Sequence, residues 1–67
     1  MKVVDARGLS CPEPIMLTTQ AMKETKEEIK VLVSEPVQKC NVEKCVKNAG
    51  RHAQTREVGS EFEIIIK

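Results

Sequence analysis

The sequence contains no tryptophan and no tyrosine, and Phe62 is its one aromatic residue. A platform on which several nucleic-acid bases stack is therefore excluded. An excess of charge is missing too, since eleven basic residues face ten acidic ones for a formal net charge of +1. That removes a broad electrostatic grip on nucleic acid or anionic lipid and leaves only a local patch. Long apolar runs are absent: Val31 to Val33 and Ile64 to Ile66 are triplets, far short of the ~20 residues of a membrane span. The opening residues Met-Lys-Val-Val-Asp hold no signal-peptide core. A cytoplasmic location without membrane attachment is the expectation. Three cysteines, Cys11, Cys40 and Cys45, are an odd set, unlike the even set of a secreted disulfide framework. Neither a phosphate loop nor a dinucleotide fingerprint occurs, so no cofactor is expected.

What is present reads as one small domain, residues 1–67, with 40% hydrophobic and 31% charged residues. A chain of this length buries only about 60% of its unfolded surface, so the core is thin. Val3 to Ala6 reads as a first strand, followed by a loop in which Gly8 supplies backbone freedom. Thr18, Ala21, Met22 and Thr25 follow helical spacing, with Pro14, Ile15 and Leu17 flanking the same face, which predicts a helix from Pro12 to about Glu27. Ile29 to Val33 is apolar enough for a central strand. Pro36 suits the first turn of a second helix. That helix carries Val42, Cys45, Val46 and Ala49 as a buried stripe and stops at Gly50. His52 to Val58 and Glu61 to Ile66 form a final hairpin across Gly59-Ser60. The order strand, helix, strand, helix, strand, strand predicts an α/β two-layer sandwich. Its mixed four-stranded sheet carries two helices on one face.

Ser10-Cys11-Pro12-Glu13-Pro14 holds the chemistry. Two prolines at i and i+2 break a helix interior but are harmless in a first turn, whose N–H groups have no intrahelical partner. With Cys11 as N-cap, Pro12 is N1 and Pro14 is N3, and neither forfeits a bond. A Ser10/Glu13 capping box is the competing reading. A cysteine there faces the positive end of the helix dipole, worth about 0.3–1 kcal/mol. A shift from pKa ~8.5 to roughly 7.5–8 raises the thiolate fraction at neutral pH from about 3% to around 10–25%. Arg7, just before the helix, is expected to add to this. Asp5 is expected to hold the loop from Gly8 to Cys11 through its amides. So moderate an activation suits reversible thiol, disulfide or persulfide exchange. The plainer alternative is a small cap residue without chemistry.

The stretch Asp5-Ala6-Arg7-Gly8-Leu9-Ser10-Cys11-Pro12-Glu13-Pro14 closely resembles the signature of the TusA/SirA/YedF family of small sulfur-carrier-like proteins. The resemblance covers essentially the whole chain in length and element order. Glu35-Pro36 resembles the family's second-helix start, and Asn41-Val42 followed by Gly50 is similar to its YedF-like branch. The resemblance implies a βαβαββ fold and a motif cysteine, here Cys11, that accepts persulfide sulfur and passes it to a partner protein. It implies a donor of cysteine desulfurase or rhodanese type, an acceptor protein, and a carrier rather than a turnover enzyme. The pathways served in the family range over tRNA thiolation, sulfur oxidation, molybdenum-cofactor assembly and selenium metabolism.

The remaining chemistry-bearing residues divide simply. Cys45, on the apolar stripe, reads as a buried inert thiol. Cys40 falls about 160° from Val42 on the helical wheel and should be exposed. It is the candidate second thiol, able to resolve Cys11 if both helix starts share one end of the sheet. A zinc site from Cys40, Cys45 and His52 is disfavoured, because i and i+5 side chains diverge by about 140° on a helix, and no metal is expected. Met16 and Leu9 are candidate partner contacts beside the box, Met16 on an otherwise polar helix face. Two other functions stay open at this point: an RNA-binding or regulatory module, and a redox switch using Cys11 and Cys40.

Overall fold

The run Ile29–Val33 places every second side chain on one side of an extended chain, and Ile29, Val31 and Val33 are all fully buried. The computed structural model describes residues 2–10 and 12–67, so Met1 and Cys11 lie outside the described residues. Six elements follow in the expected order: β1 (Lys2–Asp5), α1 (Glu13–Glu24), β2 (Ile29–Val33), α2 (Pro36–Asn48), β3 (Ala53–Val58) and β4 (Glu61–Ile66). The sheet order is β1-β2-β4-β3. β1 and β2 are parallel, whereas β4 runs antiparallel to both β2 and β3. β3 is thus parallel to β2 but one strand removed from it, and β4 fills the gap by a hairpin.

Both helices cover one face of this sheet. From that side come Val4, Val31, Val33, Ile64 and Ile66, meeting Ala21 of α1 and Val42 and Val46 of α2 in one core. The other face is open, as a mixed sheet with an antiparallel half tolerates. There Val3 and Val58 are exposed, and Glu63 lies between Lys30 and Arg56 at 3.8 and 3.1 Å.

Several boundaries differ from expectation for local reasons. β1 lies one residue earlier than Val3 to Ala6, although the Ala6 amide still donates to Leu32 O at 2.8 Å. α1 ends at Glu24 rather than near Glu27, because Thr25 turns extended (φ −146, ψ 148). Its hydroxyl then accepts the Glu27 amide. β3 begins at Ala53, with His52 exposed and exchanging backbone bonds with Lys67. On α2 the expected stripe is partly corrected. Val42 and Val46 are buried, Cys45 is half-buried, and Ala49 is exposed as the C-cap. Gln38, one turn before Val42, occupies the buried place at the other end of that stripe.

The end of α2 shows why Gly50 was legible as a stop. Gly50 takes φ +78, its amide reaches Lys47 O at 3.0 Å, and the Arg51 amide reaches Val46 O at 3.1 Å. This pair of bonds is the Schellman closure. The Arg51 guanidinium then bonds the carbonyls of Thr25, Lys26 and Glu27, satisfying the chain beyond α1. Arg51→Ala keeps the backbone closure but strips these charge-assisted bonds. It is expected to lower stability by about 1–2 kcal/mol, read from urea unfolding.

Candidate functional site

Parallel pairing sends β1 and β2 to the same end of the sheet, where α1 and α2 both begin. The antiparallel register brings the start of β4 there too, with Phe62 opposite Val33. The loop from Ala6 to Ser10 and the Ser34–Glu35 turn are therefore neighbours. Gly8, at φ +77, donates its amide to Ser34 Oγ at 3.0 Å. From α2, the Gln38 amide nitrogen donates to the Leu9 carbonyl. Together these bonds tie the first loop to the second βα unit.

A third tie is ionic. Arg7 donates through Nε and Nη2 to the two oxygens of Asp5 at 2.9 and 2.8 Å. Its Nη1 reaches Glu61 at the start of β4 at 3.3 Å. The Arg7 amide also donates to Asp5 Oδ1. The Arg7 side chain, aided by that amide, holds the Asp5 carboxyl at about 2, against an ordinary 3.8. Asp5, then Glu61, hold the Arg7 proton more tightly than usual. Arg7 is thus committed to two carboxylates rather than standing as an open cation. Asp5 holds the amide of Arg7, while that of Gly8 goes to Ser34. A carboxyl whose folded pKa is depressed contributes stability above its unfolded value and loses it as pH falls through the folded one. Asp5→Asn should therefore flatten the fall in urea midpoint between about pH 4 and pH 2, and leave the profile above pH 5 parallel to that of the parent.

The Cys-Pro box is placed one residue differently from the expectation. Pro12 takes the N-cap, Glu13 is the first helical residue and Pro14 sits in the first turn. The expected cap, Cys11, lies outside the described residues. Glu13 donates its amide to Ser10 O at 2.8 Å, and Met16 makes the first helical bond to Pro12 O at 3.0 Å. Among the described residues no side chain caps the helix, and the Ser10/Glu13 box does not form. The proline argument survives the shift, since a cap and a first-turn residue equally lack intrahelical acceptors. Pro12 and the acidic Glu13 are exposed, whereas Pro14 is buried. Thr18 is buried one turn on and satisfies its hydroxyl on the Pro14 carbonyl at 2.7 Å.

The other candidate residues separate. Met16 is 62% exposed, whereas Leu9 is half-buried against the core. Val37, 59% exposed near the start of α2, is the apolar surface residue that the sequence reading passed over. A cleft of about 280 Å³ lies between the two loops, lined by Gly8, Leu9, Ser10, Ser34, Glu35, Val37 and Gln38. Cys40 is an exposed free thiol, as expected, and its pairing with Cys11 lies outside the described residues. Cys45 is half-buried rather than fully buried, and its sulfur shares a 3.2 Å hydrogen bond with Thr19 Oγ1 between the two helices. Among the described residues no three His, Cys, Asp or Glu side chains converge on a metal position, Cys40, Cys45 and His52 included. Another cleft, of about 480 Å³, is at the far end of the sheet, between Glu43, Lys47 and the turn Gly50 to Ala53. Its lining includes no cysteine. Ser34, Gln38 and Glu61 are the site-end residues that the sequence reading missed. Gln38 was open to discovery, because it falls four residues before Val42 on the buried stripe.

Among the described residues no helix is long and apolar enough to cross a membrane. The fold matches the crystal structure of a SirA-like protein from Desulfitobacterium hafniense with a TM-score of 0.90 and 26% identity, over 98% of this chain and 95% of that one. A protein of Archaeoglobus fulgidus, described as a candidate sulfur carrier, is 38% identical over 53 residues, which is 76% of this chain and 69% of that protein. The sequence-family model described as sulfurtransferase TusA matches residues 2–67. The fold, the loop that leads into a Cys-Pro-Glu-Pro box and these matches agree: the chain belongs to the TusA sulfurtransferase family.

Proposed function

We propose that this protein carries sulfur as a persulfide on Cys11, taking it from one protein and delivering it to another. The observation that carries the reading is that the residues flanking Cys11, Leu9–Ser10 and Pro12–Pro14, meet a second tied loop and both helix starts at one end of the sheet. Loading is an exchange: the Cys11 thiolate attacks the outer sulfur of the donor's persulfide, that S–S bond breaks, and the donor cysteine leaves as thiolate. Delivery repeats the exchange with the acceptor as nucleophile, so no external oxidant or reductant is needed. A donor of cysteine desulfurase or rhodanese type fits this chemistry, as does a reducing, cytoplasmic setting. Residues 1–67 act as one unit in a relay rather than as a turnover enzyme. Asp5, Arg7 and Gly8 shape the loop, Pro12, Glu13 and Pro14 set the helix start, and Met16 and Leu9 flank the partner-facing surface. Incubation with a sulfur-charged desulfurase should raise the intact mass by one sulfur atom, and a thiol reductant should remove it. An unchanged mass refutes the reading.

A further inference from the structure

Gln38 is 6% exposed, and its Oε1 has no hydrogen-bond partner among the described residues. An unpaired buried acceptor works against folding. Methionine, of similar length, would fill the same space and leave no orphan. The amide has another use in view, since its nitrogen holds the Leu9 carbonyl. Leu9 stands two residues before Cys11. Gln38 also borders a packing gap with Pro14, Ile15 and Asn41 that is too small to hold a water molecule. One side chain from α2 thus bonds the chain just before the Cys-Pro box and borders the same gap as Pro14 within it. We infer that Gln38 is a positioning residue for sulfur exchange, fixing the approach to the box through Leu9 while packing beside the helix start at Pro14. The inference rests on the persulfide reading of Cys11.

Its loss has a distinctive expected signature. Without the amide, the Leu9 carbonyl turns to the adjoining cleft, and the loop loses the tie nearest the box while the core stays filled. If Cys11 draws its acidity from the nearby helix start, as the persulfide reading expects, a looser approach lowers its thiolate fraction. The test is alkylation of the Cys11 peptide by iodoacetamide across pH, resolved by peptide mass spectrometry, in the parent, Gln38→Met and Gln38→Asn. For Gln38→Met the rate at pH 7 should drop about three- to eightfold, the ratio between a mildly acidified thiol and an ordinary one. Its pH midpoint should rise while the high-pH plateau and the urea midpoint stay at parent values. Gln38→Asn, with an amide on a shorter arm, should fall between the two. It keeps the comparison readable should the methionine variant fail to fold. A parental pH midpoint in Gln38→Met overturns the inference. So does a raised plateau together with a lowered urea midpoint, which marks a loosened fold rather than lost positioning. Because alkylation needs no donor protein, failure of the parent to take up sulfur refutes the relay alone and leaves the Gln38 result to stand or fall on its own.

Discussion

Cys11→Ser is expected to abolish sulfur uptake, from full occupancy to background, with the fold unchanged. Serine is close to cysteine in size, and its hydroxyl does not ionise near neutral pH, so the nucleophile disappears while the loop keeps its shape. The controls follow from the other two thiols. Cys40 is exposed and free, so a donor that charged any accessible thiol would load it. Cys40→Ser is nonetheless expected to retain full uptake, because Cys40 belongs to α2 and not to the loop that the Gly8–Ser34 and Leu9–Gln38 bonds tie. Cys45→Ser should also retain it. A serine hydroxyl can keep the bond to Thr19, and the half-buried site offers poor access. Intact-mass measurement on the three variants separates these outcomes. Uptake that survives Cys11→Ser would remove the assignment.

Ile64→Ala should be the most damaging change away from the box. Ile64 is fully buried in β4, a central strand paired to Val31 on one side and Thr55 on the other. Truncation in such a core costs about 2–5 kcal/mol, because the lost transfer energy adds to an unfilled cavity. A domain of this size has only about 3–10 kcal/mol in total. The variant is therefore expected to lose most of its stability, with a urea midpoint below half that of the parent. Ile65→Ala, on the open face of the same strand, is the matched control. Its side chain is only half-buried, and its loss should cost under ~1.5 kcal/mol. Equal effects at the two positions would mean that the second face is covered.

The elements were legible wherever a local signal sufficed. Alternating Ile29, Val31 and Val33, Pro36 at a helix start, Gly50 at a helix end and Gly59 at a hairpin each act over a few residues. The strand order was not legible, since insertion of β4 between β2 and β3 depends on pairings such as Val31 with Ile64. The ties of the site were hidden for the same reason: Arg7 meets Glu61 across 54 positions, and Gly8 meets Ser34 across 26. Gln38 was passed over because a polar residue on a helix reads as surface. The cap moved from Cys11 to Pro12 because the proline rule is satisfied by both placements. The bond from Arg7 to Glu61 was equally out of reach of a reading that took Arg7 only as a cation close to the box.

A pulse of isotopically heavy sulfur tests the central claim most directly. A desulfurase charged with labelled sulfur is mixed with the parent protein, the peptide containing Cys11 is isolated, and an acceptor thiol protein is then added. The account predicts that the label arrives on that peptide and leaves it as the acceptor gains it. Label on the Cys40 or Cys45 peptides instead, or label on Cys11 that no acceptor removes, would contradict it.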